Sequence, residues 1–445
     1  MADTSTPDPL CFLDCYVTHA FQWQNGVTTD RGVLAGGPIS FAIWISASGL
    51  IAGVSQNGQI DPLIPGFPEL RAVLWQNGGI TDLGTLPEGG YESYTSAVNS
   101  RGQVVGFAAN TIPDPNAMLP LGYQTRAFLW DRQKGMQDLG TLPGGTNAEA
   151  GLINERGQVV GWSYTSSAPS AFCGLGYGFP LTTGSFIWDK ENGMKDLGSL
   201  GGTCTVANDL NNQGQVVGQS TLTGDQASHA FVWDPEAGLT DLGLLGGDFA
   251  SAFTINDHGE AVGGSYLPGG VFQVDAVLWR KSGGKWQKTD LGTVDGANCS
   301  YGISINASGQ VAGDSGADCN TLAFLWEDGG PMVDLNTLVS SSSGIHVAEA
   351  VNINDRGEIA VTGVDVDGNG HAVLRIPCDE NHADVEGCDY DLVEPVTGAP
   401  VRPAQITPTP AAGPAKLSPA EMMTRFRSLR AGRNRRFGTP QTSPQ

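Results

Sequence analysis

Apolar residues in this chain come in short bursts, each too brief for a helix, and the bursts recur in a fixed order. The copy from Arg126 to Ser163 shows the order in full. An apolar run ends in Trp (Ala127, Phe128, Leu129, Trp130), and an Asp-Leu-Gly step follows (Asp138, Leu139, Gly140). Next come a run closing on Ile153-Asn154 and then Gly157-Gln158-Val159-Val160-Gly161. Gly and Asn punctuate the gaps, so each burst is expected to be a β-strand between tight turns. The pattern returns seven times between His19 and Gly363, and its Trp residues (Trp23, Trp75, Trp130, Trp188, Trp233, Trp279, Trp326) step by 52, 55, 58, 45, 46 and 47. That interval suits a four-stranded propeller blade and exceeds a leucine-rich or ankyrin unit.

The columns of the repeat carry their own chemistry. Asn99, Asn154, Asn211, Asn256, Asn306 and Asn354 each stand three residues before a Gly, with Ser46 in the first copy. Asn at the first and Gly at the fourth position predict a type I turn. The Trp column is expected to be core between blades. The Asp column (Asp30, Asp82, Asp138, Asp196, Asp241, Asp290, Asp334) would form a ring of carboxylates if the repeats close. Such a ring could take a cation or a sugar, but acceptance of backbone N–H groups at strand ends is favoured. Extra length at 107–125 and 164–184, rich in Gly, Pro and Ser, is expected to emerge on one rim as binding loops.

The ends differ from the body. His371-Ala372-Val373-Leu374 repeats a first strand with nothing after it, which predicts ring closure by strand exchange. The expected division is a lead-in at 1–18, a propeller of seven blades (eight as the alternative) at 19–376, and a disulfide loop at 377–393. A disordered Pro-rich linker at 394–416 follows. At 417–445 lies a basic tail, in which Ser418-Pro419-Ala420-Glu421 opens a short amphipathic helix.

Composition changes the picture in three ways. Gly (63) and Pro (26) are frequent enough for a tight turn every dozen residues. The 23 basic and 46 acidic residues divide as seven and one from Lys416 onward, sixteen and forty-five before it. The acidic body therefore argues against nucleic acid or anionic membrane as a partner, while the tail could contact an anionic surface. The eight Cys fall in near-neighbour pairs, Cys11/Cys15, Cys173/Cys204, Cys299/Cys319 and Cys378/Cys388, which fits disulfides in an oxidising compartment; unrelated buried thiols are the alternative. No run is apolar enough to span a membrane, and residues 1–18 lack the pattern of a signal peptide.

Candidate chemistry is sparse. Asp365, Asp367 and Asn369 alternate like the opening of a calcium loop, although Ile376 stands where such a loop needs Glu, and a tight turn explains the run equally well. Gly313-Asp314-Ser315-Gly316 is the repeat's own strand ending, not a nucleophile turn. No nucleophile elbow, zinc-binding His pair or phosphate loop is present. No catalytic residue and no cofactor other than calcium is expected.

Taken jointly, His-Ala-Phe-x-Trp at 19–23 and 229–233, Asp-Leu-Gly-x-Leu-x-Gly-Gly and Ile-Asn-x-x-Gly-Gln-Val-Val-Gly resemble the HAF-repeat family of bacterial extracellular repeat proteins, over about residues 19–376. The resemblance implies export, an all-β propeller-like body and no assigned activity. The chain departs from the pattern at Arg31, Ser46 and Asn336. The resulting expectation is an extracellular or cell-surface monomer that binds a glycan or protein at the rim or central channel. The alternatives are a polysaccharide-acting hydrolase or lyase using hub carboxylates, and a passive structural protein.

Overall fold

A computed structural model describes residues 2–378, apart from 8–15, 25, 64–65, 67, 119–121, 171–172, 174–178, 270–272, 317–321, 328 and 340–342. The linker, the basic tail, Cys11, Cys15, Cys319 and Cys388 lie outside the described residues.

The short bursts are strands, and nearly every turn between them is tight. A first unit holds β1 (Ala2–Pro7), β2 (Tyr16–His19), β3 (Phe21–Gln24) and β4 (Val27–Asp30), with β2 and β3 one strand interrupted at Ala20. The second unit is β5 (Ser40–Ile45), β6 (Ile51–Ile60), β7 (Pro68–Gln76) and β8 (Gly79–Asp82). The third is β9 (Ser93–Val98), β10 (Val104–Pro113), β11 (Tyr123–Asp131) and β12 (Gly135–Asp138). The fourth is β13 (Ala148–Ile153), β14 (Val159–Pro169), β15 (Leu181–Asp189) and β16 (Gly193–Asp196). The fifth is β17 (Gly201–Leu210), β18 (Val216–Leu222), β19 (Ser228–Asp234) and β20 (Gly238–Gly243). The sixth is β21 (Ala250–Ile255), β22 (Ala261–Tyr266), β23 (Val274–Ser282) and β24 (Lys285–Asp290). The seventh is β25 (Cys299–Ile305), β26 (Val311–Gly316), β27 (Leu322–Trp326) and β28 (Val333–Asp334), followed by a 3-10 turn at Leu335–Leu338. The chain's last described strands are β29 (Ile345–Ile353), β30 (Ile359–Asp365) and β31 (Gly370–Arg375).

Within a unit the strands pair antiparallel in chain order, as in β9-β10-β11-β12. Single parallel pairs, Thr183↔Cys204 and Val274↔Cys299, join the fourth unit to the fifth and the sixth to the seventh. The register explains the Gly of Val-Val-Gly. A Cβ on Gly106 or Gly161 would strike the carbonyl oxygen of Tyr94 or Glu149 on the first strand. Beside each such Gly the register slips by one residue, as between Val105 and Gly106, a bulge that recurs through the units. Bulges of this kind increase local twist.

No unit hides its own two faces, so each packs on the next. Leu74 and Leu83 of the second unit share a core with Phe128, Trp130 and Met136 of the third, while Leu129 and Leu139 face Ala150 and Phe186 of the fourth. First strands of successive units touch along the row, β5 with β9, β9 with β13, and β21 with β25. The first strands are therefore innermost and the fourth strands form the outer edge.

The Asn turn is confirmed and does a second job. The Gly102 N–H donates to the Asn99 carbonyl, closing the type I turn, and Asn99 Oδ1 accepts from the Arg101 and Gln103 N–H groups. The side-chain amide then donates into the next unit, Asn99 Nδ2 to Asn154 O at 3.1 Å and Asn154 to Asn211 O at 3.0 Å. Asn211 reaches Asn256 O at 3.1 Å, Asn256 reaches Asn306 O at 3.0 Å, and Asn306 reaches Asn354 O at 3.0 Å. Five bonds thus tie six units in a row. Ser46 is too short to join the ladder, and its hydroxyl accepts from the Leu50 N–H instead.

Three expectations need correction. The last strand is not exchanged, because β31 pairs with β30 of its own unit and β1, not a C-terminal strand, pairs with β2. About half of each stretch, 107–125 and 164–184, is strand and not loop, lengthening the β10/β11 and β14/β15 hairpins. Six Trp of the column are buried or half-buried, but Trp23 is 45% exposed, since no neighbour covers that face of the first unit. No helix among the described residues is long and apolar enough to cross a membrane.

Candidate functional site

The second and third strands of the second, third and fourth units run past their neighbours as three adjacent hairpins, whose strands end at Ile60 and Pro68, Pro113 and Tyr123, and Pro169 and Leu181. Each is pinned to the next unit at an equivalent position, by a different chemistry. Glu92 of the third unit accepts the Leu70 N–H of β7 at 3.0 Å. Asn147 of the fourth accepts the Thr125 N–H of β11 at 2.7 Å and donates to Asp114 at 2.8 Å. In the fifth unit Cys204 forms a disulfide with Cys173 of the third hairpin, the two Cα atoms 5.5 Å apart. A loop fixed in this way presents its side chains without the entropy cost of ordering on binding. Near the first two tips Ile60 (51%) and Ile112 (53%) are exposed among acidic and amide side chains.

Glu92 is fully buried, and burial pushes its carboxyl well above the usual range against the Leu70 hydrogen bond, with the Asp61 charge adding to the rise. The Tyr94 hydroxyl also donates to it, at 3.1 Å. Beside it Glu69 accepts from Arg71 at 2.8 Å and from Asn57 at 2.7 Å. This network holds the first hairpin in place, and Glu92 has no exposed atom with which to meet a substrate.

The Asp column sits at the outer edge, on the fourth strands, not at a hub. Each carboxylate accepts the backbone N–H two residues on, as Asp82 does from Gly84 and Asp196 from Gly198, both at 2.8 Å. In three units the residue preceding the Ala of the run that ends in Trp pairs with the same carboxylate: His19 with Asp30 at 2.7 Å, Arg126 with Asp138 and His229 with Asp241 at 2.9 Å. In the second unit Arg71 at this position pairs with Glu69 instead, and in the sixth the position holds Asp275. Burial, then the neighbouring Asp290 charge and hydrogen bond, push Asp275 up to about 6.

Asp365, Asp367 and Asn369 do come together, as the turn between β30 and β31. Asp365 Oδ1 accepts the N–H groups of Asp367 and Asn369, both at 2.9 Å, and Oδ2 meets His371 Nε2 at 2.9 Å. Those hydrogen bonds, the one from His371 foremost, hold the Asp365 carboxyl far below the ordinary range. Of the other cysteines, Cys299 and Cys378 are disulfide-bonded, and the sequence neighbours expected to pair with them lie outside the described residues. The pinning of the hairpins could not be read from the sequence, because Glu92, Asn147 and Cys204 share a register but no residue type.

No family model matches the chain, and no curated protein matches it. Solved structures that resemble it include the β-propeller domain of the Trilobed protease from Pyrococcus furiosus, at 11% identity and TM-score 0.38, covering 64% of this chain and 81% of that one. Selenomethionine-substituted virginiamycin B lyase from Staphylococcus aureus resembles it at 10% identity and TM-score 0.40, covering 76% and 95%. TolB from Acinetobacter baumannii does so at 13% identity and TM-score 0.35, covering 64% and 62%. At these identities no residue's role passes from one chain to another.

Proposed function

We propose that this chain is an exported binding or scaffolding protein of the β-propeller class, and that a glycan or protein ligand seats on the rim formed by the three pinned hairpins. The observation that carries this reading is that three different chemistries fix three neighbouring hairpins at one register. A rigid, mixed apolar and polar surface suits recognition more than catalysis. The units close into a ring in this proposal. The outward Trp23 of the first unit and Leu374 of β31, 39% exposed, would then cover each other. Six complete units flanked by two of three strands favour eight positions around the ring over seven. The calcium site and the family membership remain part of the proposal on the residues quoted above.

The test is a glycan array and a surface-protein pull-down on the full chain, each with and without calcium, repeated with Ile60→Asp and Ile112→Asp together. Saturable binding lost in the double variant supports the rim, and unchanged binding refutes it. A second reading, a polysaccharide-acting hydrolase or lyase, has one feature in its favour, the raised carboxyl of Asp275 beside Asp290. Turnover of an array polysaccharide abolished by Asp275→Asn would establish that reading over the first.

A further inference from the structure

The packing surface between the first and second units is unlike the others. In later units the Leu of Asp-Leu-Gly (Leu83, Leu139, Leu197, Leu242, Leu291, Leu335) is buried against the following unit, and the first unit has Arg31 there. The residue before Trp is apolar and buried in Leu74, Leu129, Ile187, Val232 and Leu278, and the first unit has Gln22. Both exchanges fall where the packing opens into a cavity of about 440 Å³, lined by Gln22, Arg31, Ser48, Trp75, Gln76 and Ser100 among others.

Terminal units of repeat proteins usually turn polar on the outward face. The opposite happened here. Successive strand residues face opposite sides. Ala20 and Leu34, on the side of Gln22 and Arg31, pack in the core with Ile51, Val73 and Trp75 of the second unit. Phe21 and Trp23 take the outward side and stay apolar. The polar exchanges were therefore made on the face that should be dry.

Among the lining groups, the Ser48 hydroxyl donates to the Ser100 carbonyl and the Ser100 N–H and hydroxyl to the Glu155 carboxylate, whereas three others have spare capacity. Arg31 Nε is buried with no partner, and neither the guanidinium nor the Gln22 amide makes a hydrogen bond among the described residues. Arg71, Arg126 and Arg280 pair with carboxylates, at Glu69, Asp138 and Glu260, and Arg375 donates to the Leu338 carbonyl. Gln76 Oε1 accepts from Arg132 at 2.6 Å, which leaves its NH₂ to donate. Trp75 Nε1 is likewise buried and unpartnered, although Trp279 Nε1 is too, so that donor alone decides nothing.

We infer that this cavity binds a small hydroxylated monocarboxylate of the size of a hexuronic acid. The Arg31 fork would take the carboxylate, while the Gln22 and Gln76 amides would meet ring hydroxyls. One guanidinium balances one carboxylate, whereas a phosphate or sulfate dianion would carry an uncompensated charge into a strongly acidic body. The volume is in the range of small-molecule sites. The cavity opens at the end of the strands bearing the Asn turns, away from the projecting hairpins, so it stands or falls independently of the rim.

The experiment is ligand-observed NMR titration of the full chain with D-glucuronate, D-galacturonate, D-glucose and sodium sulfate. A uronate should saturate and outbind glucose roughly tenfold or more, since the charge-assisted bonds are lost with the neutral sugar. Arg31→Leu should remove uronate binding while raising the melting temperature, because it restores the column's apolar contact. Gln22→Leu should weaken binding several-fold. If Arg31→Leu does not fold, Arg31→Gln serves in its place with the same loss of binding expected. The inference is overturned by the absence of saturable uronate binding, by sulfate binding as well as or better than the uronates, or by full binding in the Arg31 variant.

Discussion

The packing between the fourth and fifth units and that between the first and second obey the same plan with opposite results. At the former, Leu197 packs with Ala207 and Phe231, and the Asn154 amide crosses to Asn211. At the latter, Arg31 replaces the leucine, Gln22 replaces the apolar residue before Trp, and a cavity remains. Where a column holds, its residue has a packing or bonding task that the structure displays. Where it lapses, the first question is what replaced the task.

The sharpest way to break this contrast is Leu197→Arg, which buries a charge with no partner in a dry interface. We expect about 3–5 kcal/mol of lost stability in urea unfolding, set against a gain for Arg31→Leu. Equal small effects would mean that the two interfaces do not differ. Next is Asn211→Ala, which removes two turn acceptors and the bond to Asn256, at a cost of about 2–3 kcal/mol. Asn211→Asp keeps the turn acceptors but loses the amide donor, so its cost should fall between wild type and alanine. A value for Asp equal to that for Ala would show that the crossing bond, not the turn, carries the effect.

The outer edge offers a parallel contrast between His229–Asp241 and Asp275–Asp290. Asp275 has its folded value raised from 3.8 to about 6, so the native chain holds that proton more tightly than the unfolded one. The stability this adds is complete below about pH 3.8 and fades as the pH climbs through 6. Asp275→Asn should remove that slope and raise stability at pH 7.5 by about 1 kcal/mol, after discounting for partial exposure. Thermal melts from pH 4 to 8 that show the same slope in the variant would refute the raised Asp275 carboxyl. The smallest effect is Ser46→Asn, which could extend the ladder to the Asn99 carbonyl and add about 0.5–1 kcal/mol. No change in melting temperature would mean the second unit lies too far from the third for that bond.

The strands, the turns and the burial of most Trp residues were readable because they depend on neighbours within a few residues. The reach of Asn99 was not, since its acceptor lies 55 residues away and the turn already accounts for Asn. Trp23 shares its column's residue type but lacks the neighbour that buries the others. The three pins on the hairpins use a carboxyl, an amide and a disulfide, so no repeated letter marks them. Arg31 and Gln22 are visible as departures in the string. That both line one cavity against the second unit follows only from strand alternation and three-dimensional packing.

The asparagine ladder has a direction. Every amide gives to the copy that follows and every carbonyl receives from the copy before, so any internal unit carries one half of each junction. A unit duplicated or deleted whole would leave both neighbours with a matching partner. The length of such a chain can therefore change by entire repeats during evolution without a new kind of contact having to arise.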